Sequence, residues 1–303
     1  ASGDSRGARL DASRFLSAFP EQRVSPALAS LGLAAPEIEA ATEVRWRPGF
    51  EDEWRPRFAR AARAYAEMEY LTVKNGVRRV MFCTMRMDDP FMRRVRADGL
   101  FARALFHVKP FTGFAHKFDI VDSRDPRAAA HIVVARREPD VEEAARVYGA
   151  GLGVEGHARL GELLGFPSCC REHFAEHFVR RRIPDPLLEA ASATRGARKT
   201  GEGEVEAAGY PECNQLLRYF GLRAVSWLPC SFRCRATRAA AGSWLEIGRA
   251  ADREGTEDLL RFLSQDAQWA ASGRTLTVRT PAFVGKQRGY PDQRRLRLRW
   301  SAA

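Results

Sequence analysis

The chain has 303 residues, with 49 lysines and arginines against 38 aspartates and glutamates, a formal net charge of +11 and a hydrophobic fraction of 45%. These totals are those of an ordinary globular chain able to build one elaborated domain or two. No run is long and apolar enough for a transmembrane helix, which excludes a helical membrane anchor and a membrane partner from the reading.

The start, Ala1-Ser2-Gly3-Asp4-Ser5, lacks the basic and apolar regions of a secretory signal, so a cytoplasmic location with reduced cysteines is the expectation. The charge suits a polyanion such as RNA, or an anionic small molecule. A compositional explanation competes: Lys74, Lys109, Lys117, Lys199 and Lys286 are the only lysines, and an arginine, alanine and glycine bias is what a GC-rich genome produces.

In chain order, the first forty residues read as short helices broken at Pro20, Pro26 and Pro36. From Glu51 to Leu71, Trp54, Phe58, Ala61, Tyr65 and Met68 recur at spacings of four and three, one apolar stripe on a long amphipathic helix. Asn75-Gly76 marks a turn, and Val77 to Met85 reads as a buried strand with Cys83 as a core residue. Asp88-Asp89-Pro90 starts a helix. Leu100–Val108, Ala115–Val121 and Ala128–Arg136 are strand-like. His107 and His116 flank the intervening turn and read as polar surface, with a shared ligand role as the sharper alternative.

Glu138 to Ala150 and His157 to Leu164 are helical. Between them Gly151-Leu152-Gly153-Val154-Glu155-Gly156 matches G-x-G-x-x-G, but a helix and not a strand precedes it, so it reads as a helix-ending loop. Residues 193–210, rich in Ser, Thr, Gly, Lys and Glu, read as a flexible connection or a lid. Pro211 to Phe220 reads as a helix, Leu222 to Leu228 as a short strand, and the segment from Cys234 to about Ala251 as a helix. Glu257–Ser264 is a further helix, and Thr275–Thr280 and Arg294–Trp300 are strands. In the last, Leu296, Leu298 and Trp300 alternate with Arg295, Arg297 and Arg299, one buried face and one solvated.

The fold class expected is α+β: a mixed sheet domain with helical cover (1–136), a mainly helical cysteine-bearing region (137–252), and a C-terminal helix with a β-hairpin (253–303) packed on the rest.

Four of the six cysteines fall in two short stretches, Gly165-Phe166-Pro167-Ser168-Cys169-Cys170 and Pro229-Cys230-Ser231-Phe232-Arg233-Cys234. Proline favours the first turn of a helix. Pro167 therefore puts Cys169 and Cys170 at the start of a helix over Ser168–Phe178, and Pro229 puts Cys230 at another, with Cys234 one turn further along the same face. Unpaired N–H groups and the positive helix end favour thiolates there. Two such starts, brought together, assemble a Cys169/Cys170/Cys230/Cys234 metal site.

Neighbouring side chains on a helix diverge by about 100°, which makes the adjacent pair awkward around one tetrahedral ion. That tilts the expectation to iron or an iron–sulfur cluster, with zinc as the alternative. His173, four residues after Cys169, is the nearest acid/base, and Cys170 is a candidate nucleophile or redox thiol. His177 continues the stripe at a distance too great for the same ion, and Cys213 is a spare ligand. Asn214, Arg218 and Arg223, between the two stretches, are candidates for binding a carboxylate or phosphate, beside a structural reading of each.

These segments, with Asn214-Gln215-Leu216-Leu217-Arg218-Tyr219-Phe220-Gly221-Leu222-Arg223 between them, resemble an uncharacterised prokaryotic family with a Gly-x-Pro-x-Cys-Cys motif and a later Pro-Cys-Ser-x-x-Cys motif. The likeness covers about residues 130–245, with Val278-Arg279-Thr280-Pro281 beyond. It implies that the four cysteines define the family, and it carries over no reaction. Its members have a histidine shortly before the second motif; this chain has Trp227, so one possible ligand is absent.

The leading functional expectation is a metal-dependent oxidoreductase doing redox or sulfur-related chemistry on a small anionic substrate, with an electron donor as partner. The alternative is an RNA-binding or RNA-modifying protein in which the four cysteines hold a structural metal. A metal or redox sensor using the same thiols is the third.

Overall fold

The computed structural model describes residues 42–85, 90–109, 119–120, 123–124, 128–150, 153–272, 275–288 and 296–303. The expectations for the first forty residues, Asp88-Asp89, His116, most of Ala115–Val121, Gly151-Leu152 and Arg294-Arg295 lie outside them.

The apolar stripe of the long helix α1 (Glu51–Lys74) organises the rest. Ala61, Ala64, Tyr65 and Met68 are buried, and three acids in the first turn with Lys74 in the last complement the helix dipole. A four-stranded sheet follows, in the order β2 (Val80–Met85), β5 (Ala129–Ala135), β3 (Phe101–Lys109), β4 (Asp119–Ile120). Every residue of β5 is buried, because both faces of this sheet are covered. On one side lie the C-terminal end of α1 and α2 (Pro90–Ala97), through Tyr70, Val73, Met92 and Val95. On the other lie α3 (Glu138–Gly149) and α4 (Val154–Leu163), through Val141, Ala144, Leu160 and Leu163. Gly153, the last glycine of the G-x-G pair, is the N-cap of α4, and α3 precedes it. That is the loop between helices expected from the sequence.

The second sheet has seven strands in the order β1 (Thr42–Trp46), β10 (Phe283–Arg288), β9 (Thr275–Arg279), β8 (Ala267–Ser272), β11 (Leu296–Ala302), β7 (Glu204–Gly209), β6 (Arg198–Gly201). All neighbours are antiparallel except β11 and β7. One face is apolar: Val205, Ala207, Trp269, Ala271, Leu276, Val278, Leu298 and Trp300 are buried. They join α1, α7 (Arg235–Ala251) and α8 (Arg253–Leu263) in the main core. The architecture is α+β. Among the described residues, no helix is long and apolar enough to cross a membrane.

Four local readings change. Residues 198–209 are not a flexible connection: they form the β6–β7 hairpin, in which Val205 and Ala207 enter the core. Pro211–Phe220 is not one helix but two single turns of 3₁₀ helix, Pro211–Cys213 and Arg218–Phe220. Asn214 interrupts them, because its Oδ1 accepts the N–H of Leu216 in a local turn that competes with helix. Leu222–Leu228 pairs with no strand and runs as irregular buried chain. Cys230 precedes α7 in a turn, so it does not share a helix face with Cys234.

Candidate metal centre

Two helix starts do converge on the cysteines. In α5 (Ser168–Phe174), Pro167 is the N-cap, and Cys169 and Cys170 lie in the first turn. Cys234 is the N-cap of α7, its Sγ accepting the backbone N–H of Thr237 at 3.4 Å. Cys230 comes from the turn before it. The sulfurs of Cys169, Cys170, Cys230 and Cys234 all lie within 4.8 Å of one another. Cys169 to Cys170 is 3.9 Å, and each is 3.7 Å from Cys234. The sulfurs of the adjacent pair thus approach to 3.9 Å despite the divergence of neighbouring Cα–Cβ bonds.

Two polar groups approach the Cys170 sulfur. The backbone N–H of Cys230 donates to Cys170 Sγ at 3.4 Å, and Thr237 Oγ1 lies 3.2 Å from the same sulfur. Trp227 donates its indole N–H to Thr237 Oγ1 at 3.0 Å, which leaves the hydroxyl proton free to point at Cys170. Cys170 and Cys234 belong to the main core, and Cys169 and Cys230 pack on it. As free thiols Cys170, Cys230 and Cys234 share protons. Hydrogen bonds from Cys170 and Cys230 hold Cys234 well below the usual thiol range. The bonds Cys230 makes to Cys170 and Cys234 push its own pKa up. Cys230 by itself would lower the pKa of Cys170, but the Cys170–Cys234 bond and burial outweigh it and push that thiol up to about 12.

Among the described residues, the group that could hold a metal comprises the four cysteines without the other candidates. His173 packs against His177, with ring centroids 4.4 Å apart and the rings tilted by 47°. Burial, then His177, drives its pKa down to about 4, against a hydrogen bond to the backbone of Pro186. The helix widens to a π turn at Ala175–Arg180, where Arg181 donates to His177 Nδ1 at 3.0 Å. Cys213 is buried beside the centre and donates to the carbonyl of Cys234 at 3.6 Å, outside the group of four. Cys83 is a core residue of β2.

Asn214, Arg218 and Arg223 are committed to the interior. Asn214 Nδ2 donates to the Leu263 carbonyl at 2.8 Å. Arg218 pairs with Asp185 and donates to the Gln215 carbonyl at 2.8 Å. Arg223 donates to Tyr65 Oη at 2.8 Å and lies over that ring. They tie the irregular chain before the second cysteine stretch to its surroundings; in this arrangement a substrate would have to displace internal bonds.

Sequence reasoning misses Thr237, and marks Trp227 only as the residue standing in place of a histidine. A threonine three residues after a helix-capping cysteine is the signal that finds the first; nothing local marks the supporting role of the second. No family model, curated protein or solved structure matches the chain.

Proposed function

We propose that Cys169, Cys170, Cys230 and Cys234 hold one metal ion, zinc, in a closed structural site, and that the metal-stabilised protein binds RNA. The observation that carries the metal reading is the mutual spacing of the four sulfurs. Thiolates at the corners of a tetrahedron, each about 2.3 Å from zinc, stand about 3.8 Å apart. The separations of 3.7, 3.7 and 3.9 Å among Cys169, Cys170 and Cys234 fit that value, and Cys230 lies within 4.8 Å of each. An iron–sulfur cluster places several irons and sulfides between its cysteines, and so spreads them more widely than a shared ion does. The spacing therefore favours a single ion over the cluster that the adjacent cysteines suggested.

Four protein ligands leave no open position, whereas catalytic zinc sites keep one for water or substrate. This supports a structural role over catalysis by Cys170 and His173. The ion would pin the start of α5, the turn at Cys230 and the start of α7 to one another. Metal analysis of protein purified without chelator tests it. One zinc per chain without acid-labile sulfide is expected; iron with sulfide would overturn it.

The partner reading rests on the net charge of +11. A polyanion that displaces counterions from cationic side chains loses affinity steeply as salt rises. Binding of labelled RNA, followed by anisotropy between about 50 and 200 mM salt, should weaken by at least tenfold. Absence of binding at the lower salt would remove the RNA reading and leave the metal reading standing.

A further inference from the structure

The outward face of the seven-stranded sheet has a pattern that the metal centre does not use. Along β7, β8 and β9 buried residues alternate with exposed or half-buried ones, and in β10 the half-buried Val284 and Lys286 alternate with buried Phe283, Gly285 and Gln287. Among the described residues this face is solvated across the sheet. Register sets its side chains in rows perpendicular to the strands. Arg299, Gln268, Arg279, Val284 and Arg45 are successive neighbours across five strands. Arg297, Ala270, Thr277, Lys286 and Glu43 form the next row.

Six cations (Arg45, Arg198, Arg279, Lys286, Arg297, Arg299) stand on this face against three carboxylates (Glu43, Glu204, Glu206). Arg198 and Arg299 share Glu206, Arg297 pairs with Glu204, and Arg45 with Glu43. Arg279 and Lys286, on adjacent strands in the middle of the rows, have no ion pair among the described residues. The cross-strand neighbours of Arg279 are Gln268 and Val284, and those of Lys286 are Thr277 and Glu43.

We propose that this face is the RNA-binding surface, and that its occupant is the sugar–phosphate backbone of double-stranded RNA. The proposal rests on the RNA reading above and gives it a place. Charge complementarity supplies the attraction, and among the described residues Arg279 and Lys286 make no ion pair that a phosphate would have to break. The shape of the side-chain set selects the strandedness. Proteins that grip single strands stack bases on aromatic side chains, and the named outward residues of these two rows include none. A-form duplexes display 2′-hydroxyls and phosphates over a wide, shallow minor groove, and are read by shape and by those groups. A broad sheet bearing cations interleaved with amides and hydroxyls matches that surface. Seven strands about 4.8 Å apart span about 29 Å.

The test compares the full chain with the Arg279→Glu, Lys286→Glu double variant. The positions are on a solvated face, and an unchanged melting temperature and metal content establish that the variant is folded. Affinity for a labelled RNA duplex should fall at least tenfold, and the slope of log affinity against log salt should become shallower by about 2. The control is the same charge change at Arg93 and Arg96, exposed on α2, which should leave affinity within about twofold. Arg279→Lys with Lys286→Arg should bind as the parent does. No RNA binding by the parent chain would defeat the reading beneath the proposal. Binding by the parent that survives the double reversal, or is lost equally in the control, would overturn the surface alone. Tighter binding of single-stranded RNA or of duplex DNA would overturn the occupant. Loss of self-association without loss of RNA affinity would assign the face to a second copy of the chain.

Discussion

The indole N–H of Trp227 donates to Oγ1 of Thr237 at 3.0 Å, and that hydroxyl lies 3.2 Å from Cys170 Sγ. Trp227 thus supports the Cys170 sulfur through an intermediary, and is itself held by Phe166 and Trp244. Partners beyond the ligands orient them, and their loss typically costs 10–100-fold in metal affinity. Thr237→Val keeps the shape and removes the hydroxyl. It should weaken metal binding by about tenfold or more in a chelator competition. Unchanged affinity would show that the hydroxyl does not contribute.

The metal affinity should fall with acid. In the metal-free protein Cys234 is held ionised while Cys170, pushed up to about 12, and Cys230, also raised, keep their protons at neutral pH. An ion needs thiolates, so binding releases those protons, and each unit of pH removed costs affinity. Competition titrations from pH 8 down to pH 6 should show a monotonic loss, with protons released on binding in weakly buffered solution. A flat profile would contradict these protonation states.

Arg218 gives a way to separate structure from ligand binding. Its partner Asp185 is 3% exposed, accepts from Tyr219 Oη at 2.7 Å and from the Leu187 N–H at 3.2 Å. Removing one member of such a buried pair costs about 3 kcal/mol, because the other is left uncompensated. Arg218→Ala should lower unfolding stability by roughly that amount in denaturant titrations. A variant as stable as the parent would make Arg218 a ligand-binding candidate again.

Gly209 ends β7 where the second cysteine stretch meets the sheet. A methyl group there would lie 2.5 Å from both Cβ and the carbonyl oxygen of Phe232, and 2.6 Å from the Trp300 ring. Tyr210 donates to that same carbonyl at 2.9 Å, so the backbone has little room to move. Gly209→Ala should destabilise by about 1–3 kcal/mol, the usual range for an overpacked core. The comparison is Gly242→Ala on α7, where an added Cβ meets nothing within 4 Å.

The parts legible in the sequence were those with a long period or a reactive cluster. The stripe from Trp54 to Met68 and the alternation through Leu298 and Trp300 state their elements, because burial of one face repeats over many residues. The four cysteines announced their site by proximity to two prolines. The hairpin at 198–209 was hidden because β6 is an exposed edge strand with no buried residue, and β7 shows only Val205, Ala207 and Gly209 in alternation. The helix expected at Pro211–Phe220 failed at Asn214, whose side chain bonds the backbone two residues on. The mutual approach of the Cys169 and Cys170 sulfurs, 3.9 Å apart, was not legible in their adjacency. Sequence spacing fixes the directions of Cα–Cβ bonds, while the sulfur positions depend on χ1, set by the core around them.

X-ray absorption at the metal edge of the purified protein tests the central claim most directly. The account predicts a zinc edge with four sulfur scatterers at about 2.3 Å and no metal neighbour. Fewer sulfurs with nitrogen or oxygen in their place, or a short metal–metal distance, would contradict it.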